Sequence, residues 1–156
     1  MVVLWLRPER LNGKNKMKVS ELQLGDIVSC LGDPVRVVSL SIKDDEPIGI
    51  MSPLKTIETF RDEDVKPVPL TTKILEMNGW SSYEYYHVLE KDNYRLKVEF
   101  ADDGLLNLSY DLKEGTISGH PFYMCHINDL TLSYVHELQH ALRLVGLNDL
   151  AKNLKV

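Results

Sequence analysis

The sequence has few cysteines, no long hydrophobic run and no excess of positive charge, and each shortage narrows what the chain can do. Its two cysteines, Cys30 and Cys125, lie far apart with no CxxC or CxxxC spacing. Neither a disulfide framework nor a cysteine-ligated zinc site is indicated, and both thiols are expected to be small buried hydrophobes. No apolar stretch approaches the roughly 18 to 20 residues that a membrane-spanning helix needs. The opening Met1-Val2-Val3-Leu4-Trp5-Leu6 is apolar but short, without a basic leader or a small-residue cleavage site. The expectation is therefore a cytoplasmic protein. Net charge is −5 over 156 residues and neither half of the chain is basic. That removes the usual electrostatic source of nucleic-acid binding. Glycine-rich phosphate loops, nucleophile elbows and Cys/His pairs are missing as well.

What is present is fold-forming. A hydrophobic content of 44% is enough to bury a core in one domain or two small ones. Residues 1–16 are polar, basic and turn-rich beyond Leu6, which reads as a flexible arm or as an upstream extension ahead of a start at Met17. From Ser20 to Leu70, short β-branched runs alternate with tight turns. Leu24-Gly25-Asp26 is a turn, residues 27–31 a strand, Gly32-Asp33-Pro34 a second turn and residues 35–42 a second strand. A break at residues 44–47 precedes strands at 48–51 and 56–60. An acidic loop at 61–64 then leads to residues 65–70, whose prolines allow only an edge strand. About five such strands in residues 17–70 predict a small SH3-like β-barrel.

At Thr71 the rhythm changes. A threonine N-cap, the run Lys73 to Met77 and the stop Asn78-Gly79 predict a short helix that opens an α+β domain over residues 71–156. Strands are expected at 85–90, 94–100 and 105–112, with turns at 91–93 and 102–104. Glu114-Gly115 and Ser118-Gly119 open a loop, residues 122–127 form a fourth strand, and a final helix runs over about 133–145 to Gly146. The fold class is mixed β and α+β: a small SH3-like β-barrel, then an antiparallel sheet flanked by two helices.

One run spells a known chemistry: His136-Glu137-Leu138-Gln139-His140. Two imidazoles four apart share a helix face and can hold Zn²⁺, while the glutamate serves as general base of a metallohydrolase. At about 100° per residue, Tyr134, Val135, Leu138, Ala141, Leu142 and Val145 form the core stripe. His136 and His140 then fall on the opposite side near Arg143, where solvent is expected. A catalytic zinc also needs a third protein ligand. The 16 residues after His140 hold no His and no Glu, and Arg143 and Gly146 occupy the positions where HExxHxxGxxH wants Gly and His. Asp149 is the carboxylate left for that role, with His120 or His126 as upstream alternatives. The expectation is a solvent-facing run of helix residues. The alternative is a zinc-dependent, metallopeptidase-like hydrolase with His136, His140 and Asp149 as metal ligands and Glu137 as the catalytic base.

Three pieces of the chain occur in a fixed order: ELQLGDIV with GDPVRVVSL, then VKPVPLTTKILEMNGW, then YVHELQHALRLVGL. Together they resemble a family of short uncharacterised proteins of Bacteroides-group bacteria and their phages and mobile elements, over Val19 to Leu147. The closing helix of that family reads like YVHQLQNL, so the resemblance makes Glu137 and His140 departures from its pattern. It also favours Met17 as the start, and it brings no activity with it.

The remaining candidates have structural readings. The aromatic cluster Trp80, Tyr83, Tyr85 and Tyr86 is expected to pack a sheet against a helix, the alternative being a stacking platform for bases or a peptide groove. His87, His120 and His126 are expected to be surface or hydrogen-bonded structural residues. The function expected is a non-enzymatic protein-interaction module of phage or mobile-element origin, with an unknown protein partner and no cofactor. Zinc enters only under the hydrolase alternative.

Overall fold

The computed structural model describes Met17 and residues 19–40, 48–51, 57–60, 64–91, 93–101 and 105–156. The expectations for residues 1–16, 44–47, 61–63, 92 and 102–104 lie outside those residues. Within them the chain forms two antiparallel sheets and three helices.

The first sheet begins after a 3-10 turn at Val19–Glu21. The chain reverses at Leu24-Gly25, where Gly25 takes φ +85°, a conformation that glycine adopts without steric cost. Strand β1 (Ile27–Cys30) then pairs with β2 (Asp33–Ser39) through the two-residue turn Leu31-Gly32, and both turn residues have positive φ. β3 (Ile48–Met51) and β4 (Ile57–Phe60) continue the meander, and β5 (Val65–Pro67) returns to pair with β1. The order is β4-β3-β2-β1-β5, so Pro67 of β5 lies on an edge strand, where its missing N–H is tolerated. No pairing between β4 and β5 closes the sheet among the described residues. Met17, Leu22, Val28, Cys30, Val35, Val37 and Val65 form its core.

The second sheet follows α1 (Thr72–Met77), whose first turn is capped by Thr71 Oγ1 accepting the Ile74 N–H at 3.3 Å. β6 (Ser81–Ser82), β7 (Tyr86–Glu90), β8 (Tyr94–Phe100), β9 (Leu106–Ile117) and β10 (His120–Leu132) stand in the order β10-β9-β8-β7-β6. The loop expected around residues 114–119 is instead a tight hairpin, because Ser118 (φ +51°) and Gly119 (φ +80°) supply the two left-handed positions of such a turn. β9 and β10 are thereby longer than their hydrophobic alternation alone indicated. Two further helices end the chain, α2 (Val135–Leu144) and the five-residue α3 (Asn148–Lys152). The second of these is too short to show a helical period in sequence.

Leu75, Trp80, Leu96, Val98, Leu108, Leu132, Val135, Leu138 and Leu142 are among the buried residues of the second core. Ile27 from β1 and Leu70 also belong to it, and Val68 packs against it. The backbone is joined there too: Leu70 N–H donates to Ser133 O at 2.9 Å and Val135 N–H to Val68 O at 2.9 Å. Among the described residues no helix is long and apolar enough to cross a membrane.

Candidate functional site

The apolar stripe of α2 lies where the helical period puts it, since Val135, Leu138, Ala141 and Leu142 are buried. The opposite side does not face solvent as expected. His136 is only 6% exposed and Gln139 is fully buried, because the turn leading into β1 packs across this side of the helix. Only Glu137 and Leu144, at the remaining azimuth, avoid both layers.

Each letter of the His-Glu-x-x-His run has an intramolecular contact. Glu137 Oε2 accepts the N–H groups of Ser133 (2.6 Å) and Tyr134 (3.0 Å), bonds that satisfy orphan donors at the N-terminus of α2. Gln139 Oε1 accepts the Ile27 N–H at 2.7 Å, and its Nε2 donates to Gly25 O at 3.1 Å and Ala151 O at 3.0 Å. His140 Nε2 lies 2.7 Å from Asp26 Oδ2, and Arg143 Nη1 donates to Asp26 Oδ1 at 2.6 Å. The Gln23 N–H adds a third bond to the same carboxylate at 2.8 Å. Arg36 completes the joint from β2, donating to Gly25 O at 3.1 Å and Leu154 O at 2.8 Å.

The charges follow from this packing. Asp26 has no solvent exposure, and burial alone would raise its carboxyl. Hydrogen bonds from His140, Arg143 and the Gln23 amide outweigh that effect and hold it below the usual carboxylate value. Burial pushes His136 down to about 4, the Asp26 charge opposing and His140 reinforcing the shift. The His136 ring stacks on Tyr134 at 5.8 Å and meets His140 edge-on at 5.7 Å, and its Nδ1 has no hydrogen-bond partner.

The carboxylate that meets His140 is therefore Asp26. Asp149, the residue expected to complete a zinc site, is exposed on α3. His120 and His126 lie on β10, exposed, with His126 Nε2 3.9 Å from Glu114 Oε1. Among the described residues no group of three His, Cys, Asp or Glu side chains is placed to hold a metal ion. In sequence Asp26 is marked only as a turn residue. The signal available was His140 and Arg143 three apart on one helix face, two donors that call for a shared acid.

The other candidates divide. Trp80 is buried in the second core, whereas Tyr83 and Tyr85 are exposed; Tyr83 stacks on Tyr86 at 4.8 Å. His87 is buried rather than at the surface, with neither ring nitrogen bonded and its ring edge-on to Phe100 at 5.3 Å. Cys30 is buried as expected, but Cys125 is exposed because it sits on the edge strand β10.

That edge and its hairpin partner carry exposed large apolar side chains. The last β8 residue paired along β9 toward the hairpin is Tyr94, opposite Leu112; past it, β9 and β10 run on as a two-stranded arm. Partners across a ladder share a face, and residues two apart along a strand return to it. Met124 pairs with Leu112, which packs against the second core, and Phe122 lies two residues further along. The register shifts by one residue of β9 between Tyr123 and Phe122, so Gly115, opposite Phe122, returns to the face of Leu112, and Ile117 lies two residues beyond Gly115. Leu106, Leu108 and Tyr110 are buried at the base of β9, while Ile117, Phe122 and Met124 are all exposed. The helix-covered face of the sheet thus continues bare along the arm.

No family model, no curated protein and no solved structure matches the chain.

Proposed function

We propose that the protein is a non-enzymatic, cytoplasmic protein-interaction module whose contact element is the β9–β10 arm. The observation that carries this reading is the apolar face of Ile117, Phe122 and Met124, which continues a core face past the helices that cover it. A soluble chain gains nothing in stability from three large apolar side chains held in water on a projecting ribbon. An apolar face of this kind marks a binding surface. The side chains of the zinc motif support the same reading from the other side, since Glu137 and His140 are engaged in a cap and in a hydrogen bond with Asp26.

In this reading residues 17–70 form an SH3-like barrel and residues 71–156 an α+β domain. A four-strand meander whose fifth strand returns to the first supports the barrel, and the separate core under the first sheet supports the division. The three sequence pieces quoted above support an origin in phages or mobile elements. The partner is a protein, with no nucleic acid, membrane or cofactor involved.

The test is a peptide-display selection on the full chain, with counter-selection on an Ile117→Ser, Phe122→Ser, Met124→Ser triple variant. The expected binders lose at least about tenfold in affinity on the variant, whose thermal unfolding stays within a few degrees of the parent. Binders indifferent to the three substitutions would remove the arm as the contact element.

A further inference from the structure

Gly115 to Asn128 is the longest run of the sequence without Asp, Glu, Lys or Arg, in a chain whose residues are 26% charged. It covers the tip of β9, the turn and β10 as far as Asn128. Solvent-facing edge strands ordinarily carry a charge, a proline or a bulge, or are kept very short, so that no second strand pairs with them. The other three sheet edges among the described residues follow that rule. β4 carries Glu58, β5 is three residues long with Lys66 and Pro67, and β6 has two residues. On β10, by contrast, His120 to Cys125 are uncharged and exposed apart from half-buried Tyr123.

This part of β10 is also regular. The shift between Tyr123 and Phe122 inserts Glu114 on the β9 side and leaves β10 unbroken, whereas the extra residue at the next shift is His126, on β10 itself. Pro121, which has no N–H to give, and the bulge at His126 therefore bound a short pairing edge that does not propagate along the strand.

We propose that this edge pairs with the same edge of a second copy of the chain, antiparallel, about a twofold axis through Tyr123; this rests on the arm being the contact element and names its partner. A twofold axis normal to a sheet leaves every side chain on its own face, so it passes through a residue rather than between two. An axis through Phe122 would set Met124 against His120, and one through Met124 would set Phe122 against the bulged His126. The axis through Tyr123 sets Phe122 of each copy against Met124 of the other, so both apolar side chains meet an apolar partner directly across the ladder. An uncharged edge meets its own copy without repulsion and carries no charge by which a different protein would be selected. The two five-stranded sheets then run on as one, and the bare faces of the two arms lie side by side.

The experiment is sedimentation velocity of the full chain over a dilution series, for the parent, Phe122→Asp, Met124→Lys and an equimolar mixture of the two variants. Both substituted positions are exposed, so each variant keeps its thermal unfolding within a few degrees of the parent. The parent runs as a reversible dimer. Either variant alone sets a charge against an apolar side chain at both pairs of the interface and dimerises at least about tenfold more weakly. In the mixed dimer one pair unites the two opposite charges and the other remains Phe122 against Met124, so the mixture recovers dimer that neither variant forms alone. A parent that stays monomeric at its highest soluble concentration, a variant that dimerises as tightly as the parent, or a mixture that fails to recover would overturn the self-pairing. A monomeric parent whose display-selected binders still depend on Ile117, Phe122 and Met124 removes the second copy and leaves the arm as the contact element.

Discussion

Gln139 and Ile27, 112 residues apart in the chain, are joined by a 2.7 Å hydrogen bond from the Ile27 amide to the Gln139 side-chain oxygen. The same side chain gives both protons of its amide to carbonyls, at Gly25 and Ala151. One glutamine therefore fixes the start of β1, the middle of α2 and the end of α3 to one another. Replacing it with leucine strands the Ile27 donor and the Ala151 acceptor in a buried place, while Gly25 O keeps its bond from Arg36. The expected cost is about 3 kcal/mol, from the desolvation of unpaired polar groups. Urea unfolding of Gln139→Leu checks it, with the midpoint falling and the slope unchanged.

Glu137 is a helix cap in this structure. Glu137→Ala is expected to lower stability by about 1 kcal/mol, which for a chain of this size is a fall of about 2–4 °C in Tm. Thermal scans with and without added zinc should show the same difference. A zinc-dependent difference would give the carboxylate another role.

Leu31 occupies a left-handed turn position at φ +52° while 81% exposed. A leucine gains no packing there and bears the steric cost of that backbone. Leu31→Asn suits both the conformation and the two-residue turn with Gly32, so it is expected to stabilise by about 1 kcal/mol. Denaturant midpoints of the two proteins decide the sign.

Asp26 sets the acid limb of stability. Its folded carboxyl titrates below its unfolded value of 3.8, so the unfolded chain takes up the proton first. The stability contributed is present in full above that value and is lost as pH falls below it. Asp26→Asn removes this limb and also weakens the bonds to Arg143 and His140, costing about 2 kcal/mol at neutral pH. Stability measured from pH 7 down to pH 3 should show the parent and variant curves converging.

The strands were legible because their signals are local. The alternation from Tyr94 to Phe100 marks β8, and Thr71 and Asn78-Gly79 mark both ends of α1. The joint was not legible, for a physical reason. A helical wheel assigns faces by apolar content, and α2 has a second packed face of buried His136 and Gln139 with half-buried His140 and Arg143. What covers that face is the turn at residues 24–27, over 100 residues upstream, and much of its complementarity is backbone N–H and C=O. Such groups leave no trace in residue types. Cys125 misled in the same way, because its exposure depends on β10 being an edge. The arm itself needed only Ser118-Gly119 to be read as a hairpin turn rather than a loop.

The His-Glu-x-x-His run ties α2 to its own N-terminal amides and to the turn ahead of β1. Metal content of the untagged protein, purified without chelator and compared with His140→Ala, separates that structural role from zinc binding. Substoichiometric zinc is expected in both proteins, with His140→Ala less stable because Asp26 loses a partner. One zinc per chain in the parent, lost on the substitution, would contradict it.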